Sequence, residues 1–372
     1  MISFPKSFLF IICVLTTGFT SCTQEPKSVQ QELWGTEQDK NVYQYVVTNA
    51  NGMVVKITNY GAIITAVYAP DKNGTLEDVV LGFDNLEQYL EPNPVFGAAV
   101  GRFANRIRNA EFTIDETTYQ LTKNNGAHNI HGGGEFNKVV WDSEIVENEQ
   151  GIGVKLHYLS KDGTNGFPGN LDTYITYTLT DTNAIHVKFE AETDKKTHVS
   201  MTQHSYFNLA GTDALIYDHL IKIDADRYTE IDEAVIPTGA LGLVKGTDLD
   251  LTTLTAMGKN IHKFENNGYH FCYVFNKPVG ALAKVIEVVE PNSGRTLEVS
   301  TTQPSVQFYT GNKISTDFIG KYGVNYQPHG AFCLETQHLP NTPNQPNFPS
   351  TLLSPNEKYE EVVIYDFGVL NE

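Results

Sequence analysis

Cysteine is scarce in this chain, which limits the ways in which the fold can be cross-linked. The sequence has four cysteines in 372 residues, and only Cys272 and Cys333 lie beyond the first 22 residues. Two thiols cannot form the disulfide framework that stabilises small secreted domains. A single bridge between Cys272 and Cys333 stays open as an alternative, but the sequence predicts two free, buried thiols.

Basic residues are few relative to acidic ones. The chain has 26 Lys and Arg against 44 Asp and Glu, a formal net charge of -18. Nucleic acids and anionic lipid surfaces are bound by basic protein surfaces. The charge balance therefore excludes both as partners of the body of the protein and favours a neutral substrate. The composition gives no indication of the oligomeric state.

The apolar run at the start of the chain is too short to span a bilayer. This run, Phe8–Leu15, follows Lys6 and precedes small and polar residues, whereas a spanning helix needs about 20 apolar residues. The pattern is typical of a signal peptide over residues 1–22. Its end, Phe19-Thr20-Ser21-Cys22, resembles a bacterial lipoprotein processing site, with Phe19 where Leu is usual. Cys22 would then become the acylated first residue.

We therefore expect an exported lipoprotein of the bacterial cell envelope that faces the periplasm and touches the membrane only through its lipid anchor. Ordinary signal-peptide cleavage, with Cys22 incidental, would instead leave a soluble periplasmic protein. Residues 23–31 are mostly polar and predict a tether that does not pack. Residues 32–372 contain no internal repeat and no Pro/Ser-rich linker, which indicates one domain.

Helical periodicity is nearly absent, and Leu86–Leu90 is the one segment that could form a helical turn or two. Short runs of alternating polar and apolar residues, rich in β-branched and aromatic side chains, dominate instead. Examples are residues 42–47, 63–68, 173–179 and 184–189. These runs predict an all-β fold, namely one large antiparallel β-sandwich with long functional loops.

One carboxylate stands out because of its sequence surroundings. The apolar run Ala331–Leu334 leads directly to Glu335, and prolines follow at positions 340, 343, 346 and 349. Because proline fixes φ near the polyproline value, this period of three predicts an extended ribbon that braces the end of the strand. Burial of Glu335 would raise its pKa, as is typical of proton-transfer groups. A solvent-facing glutamate at a strand end is the alternative interpretation.

Four further polar clusters lie at the ends of β-type runs, at residues 101–107, 124–134, 203–209 and 268–271. His128, His131, His204 and Glu335 are all acceptable zinc ligands. However, His128 and His131 are three residues apart in a Gly/Asn loop, which implies no chelating geometry, so we predict no metal. Gly132–Gly134 neither follows a parallel strand nor opens a helix, so it does not indicate phosphate binding. We predict no cofactor.

The order of these motifs resembles the aldose 1-epimerase, or galactose mutarotase, family over residues 32–372. The resemblance implies a galactose mutarotase-like β-supersandwich, no cofactor, and interconversion of the α and β anomers of a free aldose such as galactose or glucose. The matching motifs lie at residues 100–107, 130–133, 163–171, 204–209, 236–239, 307–312 and 334–337.

The resemblance also implies roles for individual residues. Glu335 matches the general base and His204 the general acid. The positions that match residues holding or lying along the sugar are Asn105, Arg106, His131, Ser205, Tyr206 and Gln307. Tyr206 and Tyr309 are aromatic side chains that could stack on the C–H face of a sugar.

Two positions depart from the family pattern. His270 stands where the family usually has an aspartate that contacts sugar hydroxyls, and Gln203 stands where Asn commonly precedes the acid histidine. A neutral imidazole offers one donor and one acceptor, whereas a carboxylate accepts two hydroxyl protons. We therefore expect His270 to line the sugar site and to weaken or shift the hexose preference while the chemistry is retained. The Gln203 change is mild.

The reaction explains why a carboxylate and an imidazole would be needed. Opening the hemiacetal removes a proton from O1 and delivers another to the ring oxygen O5, and closure after rotation about C1–C2 reverses both transfers. We expect Glu335 to start ionised and His204 to start protonated, which gives a bell-shaped pH dependence. Two alternatives are a non-catalytic sugar-binding lipoprotein of the same fold and a glycoside hydrolase, which would need a second carboxylate.

Overall fold

The computed structural model describes residues 27–370, and strands dominate this part of the chain. The predicted signal peptide, its Cys22 and the first part of the predicted tether lie outside the described residues. Within residues 27–370, no helix has the length and apolar character needed to cross a membrane.

The strands are short and follow one another closely along the chain. In chain order they are β1 (Ser28–Glu37), β2 (Lys40–Thr48), β3 (Val54–Thr58), β4 (Ile63–Pro70), β5 (Leu76–Asp78), β6 (Ala99–Val100), β7 (Arg106–Ile107), β8 (Glu111–Ile114), β9 (Thr117–Gln120), β10 (Asn129–Ile130), β11 (Asp142–Asn148), β12 (Gly151–Ser160), β13 (Leu171–Leu179), β14 (Ala184–Thr193), β15 (Thr197–His198), β16 (Thr202–Gln203), β17 (Tyr206–Phe207), β18 (Leu220–Ile223), β19 (Arg227–Ile231), β20 (Pro237–Leu243), β21 (Thr255–Ala256), β22 (His270–Val274), β23 (Ala283–Val289), β24 (Arg295–Thr301), β25 (Ser305–Tyr309), β26 (Phe332–Gln337), β27 (Leu352–Leu353) and β28 (Tyr359–Val369).

Helices are confined to short connections. The α-helix α1 (Leu86–Leu90) coincides with the segment predicted to be helical, and the Asn85 side chain caps it by accepting a hydrogen bond from the backbone N–H of Gln88. The 3-10 helices of the described residues are Arg108–Ala110, His131–Gly133, Phe136–Lys138, Thr164–Gly166, Met257–Lys259, Ile261–Lys263, Lys321–Gly323 and Thr342–Asn344.

Three antiparallel sheets form the body of the domain, which confirms the predicted all-β sandwich. One has five strands in the order β1-β2-β3-β4-β5, one has nine in the order β11-β12-β13-β14-β28-β24-β23-β18-β21, and one has six in the order β17-β26-β25-β22-β19-β20. A single hydrophobic core joins all three and includes Val47 of β2, Val187 of β14 and Phe308 of β25. Burial of this shared apolar surface holds the sheets together.

Strand alternation decides which side chains reach the core. In β13, Ile175 and Tyr177 are buried while Tyr174 and Thr176 are half-buried, as a period of two requires. Strands β25 and β26 differ because every residue in them is buried. The face of these two strands that points away from the main core is therefore also covered by protein, and its side chains are shielded from water.

The predicted tether boundary is wrong at its inner end. Strand β1 begins at Ser28 and pairs with β2 from Ser28 opposite Thr48 onward, so residues 28–31 belong to the sheet. Gln30 and Gln31 are exposed, whereas Ser28 and Val29 are half-buried and Val29 packs against the main core. A polar segment can join a sheet edge in this way because the backbone hydrogen bonds, rather than burial of its side chains, hold it there.

The predicted proline ribbon is also wrong. After β26 the chain turns through Asn341, whose φ is 60°, into the 3-10 helix Thr342–Asn344. Proline fixes φ at a value that a polyproline helix and a 3-10 helix share, and it leaves ψ free, so the spacing of the prolines could not distinguish the two. The segment ties two parts of the chain together, since the Asn341 N–H donates to the Arg106 carbonyl at 2.8 Å.

Cys272 and Cys333 are buried free thiols, as predicted. They lie on β22 and β26, and strand β25 separates these two. Two strand spacings amount to about 10 Å, which is beyond the Cα separation that a disulfide spans.

Candidate active site

A cleft of ≈ 280 Å³ opens where the six-stranded sheet meets the loops around β7 and β10. Its volume is just below the usual range for ligand sites, about 300–1,000 Å³. The structure brings seven of the nine predicted catalytic and binding residues to its wall: Asn105, Arg106, His131, His204, Tyr206, His270 and Glu335.

Glu335 owes its position to the register of the sheet. It lies on β26 directly opposite Gln307 of β25, and Leu334 beside it faces Phe308. Leu334 and Phe308 both belong to the main core, so the alternation of the strand turns Glu335 to the opposite face, towards the cleft. The side chain is 3% exposed. It is therefore a buried carboxyl inside a strand and not a solvent-facing group at a strand end.

His204 lies between two short strands that fix its backbone. Its N–H donates to the Ala98 carbonyl at 2.9 Å, and its own carbonyl accepts from the Gly97 N–H at 3.0 Å. The imidazole Nε2 lies 3.5 Å from the Oε2 atom of Glu335. Neither His204 Nδ1 nor Glu335 Oε2 has a hydrogen-bond partner among the described residues. Buried polar atoms of this kind are costly to leave unpaired, so they favour a polar ligand in the cleft.

Burial shifts the pKa values of Glu335 and His204 in opposite directions. Desolvation raises the pKa of Glu335 to about 8, although the nearby Arg106 guanidinium opposes the change. Desolvation lowers the pKa of His204 to about 4. At neutral pH the pair therefore holds one proton, and the burial of both groups favours that proton on the carboxyl. This differs from the expected starting state, an ionised Glu335 beside a protonated His204, because both charged forms lose their hydration.

Arg106 and His131 are placed by the ladder between β7 and β10. Arg106 pairs with Ile130, so the next residue, His131, lies at the same side of the cleft. The His131 N–H donates to the Asn105 carbonyl at 3.0 Å, and the Asn105 N–H donates to His131 Nδ1 at 3.2 Å. Because Nδ1 accepts a hydrogen bond from the backbone, the neutral ring carries its own proton on Nε2. His131 is thus a hydrogen-bond donor at the cleft.

Tyr206 contacts His204 and contributes to its orientation. The two rings are stacked, with centroids 5.1 Å apart and planes at 18°. The Tyr206 hydroxyl donates to the Pro94 carbonyl at 3.1 Å. Tyr206 therefore supports the imidazole from one side, in addition to lining the cleft as predicted.

Ser205 and Gln307 are the two predicted residues that do not line the cleft. The Ser205 hydroxyl donates to Gln203 Oε1 at 3.3 Å, and Gln203 in turn donates to the Gly97 carbonyl at 2.8 Å. Gln307 Oε1 accepts from Asn105 Nδ2 at 3.1 Å. Both side chains form hydrogen bonds with other protein side chains. Gln307 lies directly behind Asn105 and Glu335, which form part of the cleft wall.

The structure adds cleft residues that sequence reasoning missed. They are Asn93, Pro94, Val95, Ile130 and Lys313. A signal was present for four of these positions. Asn93 and Pro94 lie in a turn-forming run of Pro and Asn residues, Ile130 lies in the motif at residues 130–133, and Lys313 directly follows the motif at residues 307–312. Tyr309, expected from the sequence to lie near the cleft, does line it.

A metal centre is the rival interpretation of the same groups. His131, His204 and Glu335 present ligand atoms that all lie within 4.8 Å of one another. His131 fits this use badly, because a metal at Nε2 would force the ring proton onto Nδ1, where it would face the Asn105 N–H. The Arg106 guanidinium also lies close enough to oppose the raised pKa of Glu335, and a fixed cation disfavours a second one. The donor set therefore suits hydrogen bonding to a neutral or anionic ligand better than metal binding.

The fold and the site together define a class of protein: an all-β supersandwich with a carboxyl–imidazole pair that holds one proton in a small polar cleft. Within the described residues Glu335 is the only carboxylate that lines this cleft, which argues against the glycoside hydrolase alternative. The chain belongs to the aldose 1-epimerase family, whose sequence profile matches residues 43–366.

Individual relatives agree with this assignment. The chain is 44% identical to the galactose mutarotase of Bos taurus over 319 residues, covering 85% of this chain and 91% of the bovine protein. It is 32% identical to the aldose 1-epimerase of Escherichia coli strain K12 over 329 residues, covering 86% and 93% of the two chains. Among solved structures, the galactose 1-epimerase of Lactobacillus acidophilus superposes with a TM-score of 0.83 at 26% identity, over 93% of this chain and 100% of that one.

Proposed function

We propose that this protein is a cofactor-independent aldose 1-epimerase that interconverts the α and β anomers of a free aldose by general acid/base ring opening. The observation that carries the proposal is the buried contact between His204 and Glu335, with 3.5 Å between Nε2 and Oε2. Together these groups can accept one proton and donate another at the two oxygens of a hemiacetal. The identities to galactose mutarotases and an aldose 1-epimerase support the same reaction.

The ring-opening step can be followed atom by atom. The Glu335 carboxylate takes the proton from O1, His204 Nε2–H gives its proton to O5, the C1–O5 bond breaks, and C1 and O1 form a carbonyl. Rotation about C1–C2 exposes the other carbonyl face, and the two transfers then run in reverse. Positioned acids and bases of this kind each contribute about 10²- to 10⁴-fold in rate.

The proton distribution that burial favours adds a feature to this scheme. Ring opening leaves Glu335 protonated and His204 neutral, which is the distribution that burial favours. The desolvated site therefore stabilises the pair in the open-chain complex. The ionised pair needed before opening must instead be stabilised by the bound sugar, whose hydroxyls can hydrogen-bond a carboxylate that has no partner on Oε2 within the described chain.

Other cleft residues suit the task of holding the sugar without restraining C1. His131 can donate from Nε2, and the terminal nitrogens of Arg106 can bridge adjacent hydroxyls. Tyr309 offers a flat face to the C–H surface of the ring. Asn105 is oriented by its contact with Gln307, which gives Gln307 a positioning role.

Polarimetry of freshly dissolved α-D-galactose and α-D-glucose tests the proposal. A faster approach to anomeric equilibrium than in buffer alone is the expected result. Saccharide binding without such acceleration would instead identify a non-catalytic sugar-binding protein. Release of reducing sugar from galactosides or glucosides would identify a hydrolase.

We also propose that the protein is exported and held in the cell envelope by lipidation of Cys22. The support is the sequence pattern of residues 1–22, which lie outside the described residues. Metabolic labelling with a fatty acid should label the wild-type protein and not Cys22→Ala, and the variant should move to the soluble fraction. Equal distribution of both proteins in the soluble periplasmic fraction would favour ordinary signal-peptide cleavage.

A further inference from the structure

Two cationic side chains line the cleft although the protein as a whole is strongly acidic. Arg106, Lys313 and His270 all line the cleft, and Glu335 is the single carboxylate among the described residues that do so. The positive charges of Arg106 and Lys313 both act on His270, where they add to burial in lowering its pKa to about 3. The cleft is therefore locally more positive than the protein as a whole. The overall excess of acidic residues, from which a neutral substrate was expected, does not describe this cleft.

The Lys313 ammonium is not neutralised by an ion pair within the described residues. Lysines elsewhere in the described chain commonly pair with carboxylates, as Lys263 does with Asp248 and Lys284 does with Glu298. No such ion pair within residues 27–370 involves Lys313, which is exposed at the mouth of the cleft. Its backbone N–H donates to the Tyr309 hydroxyl at 2.9 Å, which anchors it beside the cleft wall.

His270 and Arg106 also have polar nitrogen atoms without a hydrogen-bond partner among the described residues. His270 Nδ1 is buried and has no hydrogen-bond partner among the described residues. Arg106 donates from Nε to Asn125 Oδ1 at 3.3 Å, and its terminal nitrogens make no hydrogen bond or ion pair within the described chain. An imidazole with an unpartnered nitrogen, an ammonium without an ion pair and a partly free guanidinium thus belong to side chains that line the same small cleft, where they could bind an anionic group.

The pairing of the strands fixes how far His270 lies from the acid/base pair. His270 pairs with Tyr309 across β22 and β25, while Glu335 pairs with Gln307 across β25 and β26. His270 and Glu335 are therefore two strand spacings apart across the sheet, or about 10 Å, and two residues out of register along the strands; both side chains line the same cleft. A single aldose bound with C1 at Glu335 would present its far end to His270 and Lys313.

We propose that the preferred substrate is an aldose that carries an anionic group, a carboxylate or a phosphate ester, on the carbon farthest from C1, with Lys313 and His270 binding that group. This inference rests on the proposed function. The change at position 270 fits it, since the aspartate expected there from the family resemblance would repel an anion, whereas an imidazole can donate a hydrogen bond to one. The anion would in turn favour protonation of His270 and strengthen the contact.

Anomer exchange measured on matched substrates tests the inference. The substrates are α-D-galacturonate, α-D-galactose and D-galactose 6-phosphate, and the rates are followed by polarimetry or by the anomeric proton signals in NMR. We expect kcat/KM to be at least tenfold higher for one of the two anionic sugars than for galactose. Whichever of the two is favoured identifies the anion as carboxylate or phosphate.

Two variants locate the effect, and one serves as a control. Lys313→Met should reduce the ratio of anionic to neutral kcat/KM about tenfold through KM, and the reduction should shrink at high salt because the contact is exposed. His270→Asp should lower the ratio further by adding a negative charge. Lys284→Met removes an exposed lysine of the nine-stranded sheet that does not line the cleft, and it should leave the ratio unchanged.

The possible failures are distinguishable. If no aldose equilibrates faster than in buffer, the proposed function fails. If galactose does so but both anionic sugars are handled no better, or if Lys313→Met lowers all three rates equally, then the reaction stands and this inference is overturned. Melting curves of each variant confirm that the folded protein is compared.

Discussion

The Nε2 atom of His204 lies 3.5 Å from the Oε2 atom of Glu335, and both side chains are almost fully buried. Burial lowers the pKa of His204 to about 4 and raises the pKa of Glu335 to about 8. Between these two pH values the pair therefore holds one proton. Pairs that interact this closely titrate together, and the two apparent pKa values belong to the pair. This shared proton is the basis of the predictions that follow.

Activity should have a bell-shaped pH dependence with limbs near pH 4 and pH 8. Below the lower limb both groups are protonated and no base is left, and above the upper limb both have lost their protons and no acid is left. The measurement is kcat/KM for anomer exchange from pH 3.5 to 9.5, after subtraction of the rate in buffer alone. A rate that keeps rising into alkaline solution would show that a base acts without an acid.

Glu335→Gln should stabilise the fold, and more so at higher pH. The folded pKa of about 8 lies above the ordinary value of 4.5, so between these pH values the unfolded chain gives up this proton first and the wild type loses stability as pH rises. Each unit of such a shift corresponds to about 1.4 kcal/mol at full effect. The gain in melting temperature of Glu335→Gln over wild type should therefore be larger at pH 8 than at pH 5. A gain that is equal at both values, or a loss, would contradict the assigned burial effect.

Tyr206 should act on catalysis through the His204 ring that it stacks against. Tyr206→Phe keeps the stacked face and loses only the hydrogen bond to the Pro94 carbonyl. Tyr206→Leu removes the flat face, and the loss of an aromatic contact of this kind should lower kcat roughly 2- to 10-fold. Steady-state kinetics should show kcat of Tyr206→Leu below that of Tyr206→Phe. Equal values for the two variants would assign the role to the hydroxyl or to the sugar contact instead.

Chelation should leave activity intact. The hydrogen bond from the Asn105 N–H to His131 Nδ1 places the ring proton where a metal would need a lone pair. Anomer exchange by protein dialysed against a strong chelator should match that of untreated protein, and added Zn²⁺ should not restore or raise it. A loss on dialysis that Zn²⁺ reverses would reassign His131, His204 and Glu335 as ligands.

Much of the fold could be predicted from local pattern. Strands β2, β4, β13 and β14 coincide with runs of alternating residues, and α1 was the one segment with a helical pattern. Pairings between distant segments could not be predicted in this way, as when Val187 of β14 pairs with Val363 of β28. The period of two determines which face a side chain takes but does not determine which strand lies beside it.

The site was predictable where a residue's chemistry and its motif agreed, as for Glu335 and His204. It was not predictable where turns bring unrelated segments together, as they bring Val95 into the cleft wall. The prediction of a proline ribbon was wrong for a different reason. Proline restricts φ but not ψ, and ψ is set by the hydrogen bonds of neighbouring residues such as Asn341.

The most direct test of the account is anomer exchange by wild type and Glu335→Gln, measured side by side on neutral and anionic aldoses. Glutamine keeps the size of the side chain but cannot take the proton from O1, so the exchange rate should fall about 10²- to 10⁴-fold. Calorimetry should show that the variant still binds the sugar. Equal exchange rates for the two proteins, or no acceleration by the wild type with any aldose, would contradict the account.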